Sequence, residues 1–124
     1  MIKRYINVKF TKEGTHRYPE ALTDPTLKTG KWDDVSFLGH EHFHYFYFVV
    51  TVEVFQNNRD IEFIQFRRWL ESLYVEELKM DYMSCEMLAE QLIDKIRYRY
   101  EGRYIKVEIY EDNINGGILE YFPN

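Results

Sequence analysis

Three histidines at alternate positions, His40, His42 and His44, are the residues of this chain best suited to chemistry. They run directly into Tyr45-Phe46-Tyr47-Phe48-Val49-Val50-Thr51-Val52-Glu53-Val54, an aromatic and β-branched stretch that suits a pleated, half-buried strand. Residues two apart on a strand point to one face. The three imidazoles therefore share a face with Phe46, Phe48, Val50, Val52 and Val54. An apolar wall that ends in imidazoles is a candidate metal site, because neutral imidazole is a common zinc ligand and two on one strand fix half of a tetrahedron. The competing reading is a histidine-rich strand end that faces solvent. The fourth histidine, His16, lies upstream, and none follows residue 44.

Periodicity supplies the elements that must position these groups. Residues 1–10 alternate, with Ile2, Ile6, Val8 and Phe10 on one parity, and read as a first strand. Lys12-Glu13-Gly14-Thr15 reads as a bulge or turn, and Pro19 ends regular pairing. Residues 20–39, with Pro25, Gly30 and Gly39, form a long connection. If it returns the chain to pair strand two (residues 42–56) with strand one, His16 comes near His42 and His44. Asp60 is placed to cap a first helix whose apolar stripe is Phe63, Phe66, Leu70 and Leu73, ending between Leu73 and Leu78. Ser84 is placed to cap a second, with Cys85, Leu88, Ala89, Leu92, Ile93 and Ile96 on its inner face, ending at Arg99 or Tyr100 and closed by Gly102. Tyr104 to Glu111 alternates as a strand. Residues 112–117 read as a turn with an Asn-Gly signal, and 118–122 as a last strand. The order β-β-α-α-β-β predicts an α+β fold: a four-stranded antiparallel sheet with two helices on one face.

Length and composition bound the function. The 124 residues make one domain, 1–124. A 45% hydrophobic content is enough for a packed core, and the aromatic share of 18% lets rings carry much of it. The net charge of −5 weighs against nucleic-acid binding. A single cysteine excludes an intrachain disulfide, and neither a signal peptide nor a membrane span is readable, so the expected protein is soluble and cytoplasmic. Cys85, on an apolar helix stripe, reads as a small core residue.

Taken together, the element order and four short motifs resemble the tunnelling fold, specifically the 6-pyruvoyl-tetrahydropterin synthase and 6-carboxy-tetrahydropterin synthase family. The motifs are Thr15-His16-Arg17-Tyr18-Pro19, His42-Phe43-His44 with the aromatic run after it, Met83-Ser84-Cys85-Glu86-Met87-Leu88-Ala89 at a helix start, and Val107-Glu108-Ile109-Tyr110-Glu111 at a strand end. They stand in the family's order across most of the chain. The resemblance implies zinc held by His16, His42 and His44, with a fourth position open to water or substrate. It also implies that Glu111 anchors the amide and amine of a planar pterin- or purine-like ligand. It further implies a ring-shaped homo-oligomer, which would close the two open edges of such a sheet.

The departures concern catalysis. Leu38 stands where the family has its catalytic cysteine, and Leu73-Tyr74-Val75 where it has a Leu-Asp-His pattern. A zinc-dependent lyase acting on a dihydropterin triphosphate is therefore expected to lack its usual acid and base. His40 and Glu41 are the weak substitutes available, and Glu86 reads as a first-turn acid of the helix. The alternative is a protein of the same fold that binds a ligand or a metal without that chemistry. A purely structural oligomer is the fallback if no metal binds.

Overall fold

The computed structural model describes residues 1–124. Two long antiparallel strands, β1 (Arg4–His16) and β2 (His42–Val54), form the backbone of one sheet, paired from Arg4↔Val54 to His16↔His42 without a break. β4 (Ile105–Glu111) pairs with the other edge of β2, and β5 (Asn115–Tyr121) with β4, both antiparallel. The first difference from expectation is β1, which does not turn at Lys12–Thr15 but continues to His16. Gly14 is the reason: a Cβ there would lie 2.8 Å from the Phe46 ring and 2.8 Å from Leu78 Cβ, so the residue that reads as a turn signal is instead one that lets three chain segments close together.

Leu78 belongs to a fifth strand that periodicity does not disclose. β3 (Leu78–Lys79) has two residues and runs parallel to β1, with Gly14↔Leu78 and Thr15↔Lys79 paired. The sheet is thus mixed and five-stranded, in the order β3-β1-β2-β4-β5, not four-stranded and purely antiparallel. Two residues carry too little pattern to be read as a strand.

Both helices cover one face of this sheet, as expected of an α+β chain. α1 (Phe63–Ser72) and α2 (Cys85–Arg99) bury Phe66, Leu70, Leu88, Ala89, Leu92, Ile93 and Ile96 against the even-numbered residues of β1 and β2 and against Ile105, Val107 and Ile109. Phe46, Phe48, Val50 and Val52 are wholly enclosed. Ser84 caps α2, accepting a hydrogen bond from Met87 N, and Gly102 follows it in the left-handed region (φ 71°).

At α1 the caps differ from expectation. Glu62, not Asp60, accepts the hydrogen bond from Gln65 N. Asp60 bonds Phe55 N and Arg103 instead. Ile61, just before the cap, is buried with Phe66 in the core, the arrangement of a hydrophobic staple. Phe63 is therefore not needed inside and stays 55% exposed, although its spacing placed it on the apolar stripe; Leu73 is half-buried. The long connection holds two 3₁₀ turns, Pro19–Leu22 and Ser36–Gly39. They pack on each other closely enough that a Cβ at Gly39 would fall 2.2 Å from Leu22 Cγ.

The β4–β5 turn is made by Asp112 and Asn113, both in the left-handed region (φ 53° and 58°), which short polar residues tolerate. Asn115-Gly116 lies already inside β5, so the Asn-Gly pair is not the turn. No helix is long and apolar enough to cross a membrane.

Candidate metal centre

Strand parity and register gather four potential donors at one end of the core face. His16 lies opposite His42, Gly14 opposite His44, and Glu111 opposite Phe46. His16 continues the inward set of β1, His42 and His44 that of β2, and Glu111 that of Ile105, Val107 and Ile109 in β4. A slip of one residue in either ladder would turn these side chains to the opposite face.

The hydrogen bonds orient the rings. His42 Nδ1 lies 2.7 Å from the His40 carbonyl oxygen, an acceptor only, so Nδ1 carries the proton and donates. His44 Nδ1 donates in the same way to Asp112 Oδ2 at 2.6 Å, and Asp112 Oδ1 accepts from Tyr45 N. In neutral rings this leaves the Nε2 lone pairs of His42 and His44 pointing inward. His42 Nε2 faces His16 Nδ1 at 3.3 Å, and His44 Nε2 faces Glu111 Oε2 at 3.4 Å. His44 Nε2 is buried and makes no hydrogen bond. Glu111 Oε1 lies 3.9 Å from His16 Nδ1. The His16 and His42 nitrogens are within hydrogen-bond distance of each other, whereas the buried His44 Nε2 beside the Glu111 carboxylate is an acceptor facing an acceptor, an arrangement that favours a proton or a metal cation between them. Burial lowers the pKa of the His16 ring, while the Glu111 charge acts to raise it.

The donor types suit zinc. Imidazole and carboxylate are its ligands, and a tetrahedron with bonds of about 2.0–2.1 Å has edges of about 3.3–3.4 Å. The His16–His42 and His44–Glu111 separations, 3.3 and 3.4 Å, match such edges. The Asp112–His44 pair is the carboxylate–histidine arrangement that commonly supports a metal ligand. No three His, Cys, Asp or Glu side chains stand as a ready chelating group. The His16–Glu111 distance of 3.9 Å is an edge that has to shorten.

The other residues singled out by the sequence divide into those that join this end and those that do not. His40 and Glu41 are exposed and precede β2; His40 contributes its backbone carbonyl, not its ring. Tyr74 is buried beside Phe10 and Phe48, its hydroxyl unbonded and its pKa pushed up to about 12 by burial, and Val75 faces solvent. Cys85 belongs to the core as expected, yet its Sγ also lies 3.9 Å from Glu111 Oε1. Burial, then the Glu111 charge, pushes that thiol up to about 12, which favours its protonated form. A cleft of about 470 Å³ opens beside the cluster, lined by His16, Tyr18, Leu38, Cys85, Glu86 and Glu111 among others.

Sequence reasoning missed Asp112, which it read only as turn material. The available signal was its position: one residue beyond a strand-end glutamate, where a carboxylate can bond the outer nitrogen of a strand-borne histidine. It also missed β3, whose pairing continues through Met80 N to Thr15 O and Arg17 N to Asp81 O, tying the chain before α2 to the His16 end of β1.

No family model matches the sequence. No curated protein matches it either. Among solved structures, the chain is similar to an uncharacterized protein from Wolinella succinogenes, with a TM-score of 0.67 and 13% identity over 96% of this chain and 98% of that one. At that identity the likeness concerns the fold alone.

Proposed function

We propose that this chain is a metal-binding protein of the tunnelling fold, similar to the 6-pyruvoyl- and 6-carboxy-tetrahydropterin synthases, in which His16, His42 and His44 hold zinc. The observation that supports this most strongly is the orientation of the rings. His42 and His44 each spend Nδ1 on an outer acceptor and turn Nε2 inward, toward His16 and Glu111 respectively. Bound zinc would act as a Lewis acid toward a carbonyl or hydroxyl oxygen only where a coordination position is open to that oxygen. The adjoining cleft is of a size to take a planar pterin- or purine-like ligand, and its carboxylates Glu86 and Glu111 can accept paired hydrogen bonds from an amide-plus-amine edge.

Turnover of a dihydropterin triphosphate is not part of the proposal. Leu38 lines the cleft and cannot move a proton; Tyr74 is locked in the core, and the side chains of His40 and Glu41 are exposed, outside the cluster. General acids and bases are each worth about 10²–10⁴-fold in rate, so losing both leaves binding without useful catalysis.

Self-association belongs to the same reading. β1 has a neighbour on its outer edge only at Gly14 and Thr15, and β5 ends the sheet on the other side. Two open edges on one sheet favour a closed ring of copies.

The test is elemental analysis of the purified chain, followed by incubation with dihydroneopterin triphosphate. One zinc per chain and no product is the expected outcome. Protein that refuses zinc would end the metal reading. Rapid product formation, abolished in His40→Ala or Glu41→Gln at unchanged metal content, would restore the enzyme reading and name its base.

A further inference from the structure

Glu111 stands between two roles: it can reach toward a ligand in the cleft, or toward the histidines. Its surroundings favour the second. Strand parity sends it to the core face of β4, and its register opposite Phe46 sets it one step from His44. Oε2 lies 3.4 Å from His44 Nε2, and Oε1 lies 3.9 Å from His16 Nδ1 and 3.9 Å from Cys85 Sγ. Both oxygens are thus turned to the cluster. Its side chain is 26% exposed, and its ion-pair partners are the histidines, with no lysine or arginine within 4.0 Å. A largely buried carboxylate needs a compensating cation, and no lysine or arginine is at hand to supply one. A divalent metal would satisfy the imidazoles and the carboxylate at once.

We infer that Glu111 is the fourth protein ligand of the metal, so that three imidazoles and one carboxylate close the site and leave no position open to water or substrate. This rests on the metal reading above and sharpens it: the cation is structural or sensory, and a molecule in the cleft meets the metal only by displacing Glu111. Cys85 is the competing fourth donor. Its Sγ lies 3.9 Å from Glu111 Oε1, and a thiolate ligand there would set a second negative charge beside the carboxylate.

Cobalt(II) loading of the full-length chain tests the inference by absorption spectroscopy. Wild type should give the intense visible bands of a four-coordinate ion without the near-ultraviolet charge-transfer band of a cobalt thiolate. Added azide should leave them unchanged. Glu111→Gln, which keeps the shape of the side chain, should bind cobalt at least about 10-fold more weakly, and its spectrum should respond to azide. Cys85→Ser should match wild type. A wild-type spectrum that shifts with azide, a thiolate band lost in Cys85→Ser, or a Glu111→Gln affinity equal to wild type would each overturn the assignment while leaving metal binding intact. Wild-type protein that takes up neither cobalt nor zinc would remove the metal reading, and this inference with it.

Discussion

The β1–β2 ladder has a polar cluster at each end, and the two are built on opposite terms. At the Arg4–Val54 end, donors meet acceptors. Glu53 accepts from Tyr104 N and Lys3 Nζ, and Asp60 accepts from Phe55 N and Arg103. Arg103 also donates to the Glu53 carbonyl and stacks on the Phe55 ring. At the His16–His42 end, ring nitrogens face one another and a carboxylate, and His44 Nε2 is buried without a bond. A cluster whose donors and acceptors cancel holds a fold together. A cluster that leaves a buried ring nitrogen unbonded beside a carboxylate contributes less to the fold and is the one open to a cation. Substitutions at one end should therefore be read in stability, and at the other in binding.

The largest expected effect is on zinc affinity at the histidine end. His42→Ala or His44→Ala removes a donor outright and should weaken zinc binding at least about 100-fold, beyond what loss of an outer-shell partner causes, by competition against a chromophoric chelator. Asp112→Ala leaves all four donors in place but frees the His44 ring, and should cost about 10–100-fold in the same assay. Equal affinities in Asp112→Ala and wild type would mean that the Asp112–His44 bond only closes the β4–β5 turn.

At the other end Arg103→Ala should lower unfolding stability by about 1–3 kcal/mol in urea, because Asp60 and the Glu53 carbonyl lose a donor in a half-buried setting. Zinc affinity should not change. A variant that lost zinc would show that the two ends are coupled and would undo the contrast.

The smallest effect is a pH dependence. The Tyr104 N–H, then Lys3, holds the Glu53 carboxyl below its ordinary value, and Arg103, then the Phe55 N–H, does the same for Asp60. A carboxyl with a depressed folded-state pKa stabilises the fold above its unfolded pKa, ordinarily 4.5 for Glu and 3.8 for Asp. That contribution is lost as the pH falls through the folded values. Metal-free wild type should thus begin to lose stability as the pH falls below 4.5, and Asp60→Asn should show a shallower loss below 3.8. An identical slope in the variant would mean that Asp60 is not held low.

Much of this was legible in the sequence where a period repeats. β2 is readable because its parity holds over thirteen residues, and α2 because its stripe is long and capped by Ser84. The meeting of His16 with His42 and His44 follows once the two strands pair. What escaped is set by single contacts between distant segments. Gly14 reads as a turn until Phe46 and Leu78 are seen to fill the space beside it. Phe63 fits the stripe of α1, but Ile61 reaches the core first. Asp60 has the chemistry of a cap, yet Arg103, 43 positions away in sequence, holds it elsewhere. Asp112 supports His44 across 68 positions, a pairing that its place beyond the strand-end Glu111 hints at only once β4 is known to lie beside β2.

The central claim, that the inward-facing acceptors form a metal centre, is tested most directly by weighing the protein with its metal. Native mass spectrometry of the full chain after zinc titration should show one zinc per chain in wild type and none in the His42→Ala, His44→Ala double variant at the same free zinc. Equal zinc uptake by both, or none by wild type, would contradict the account.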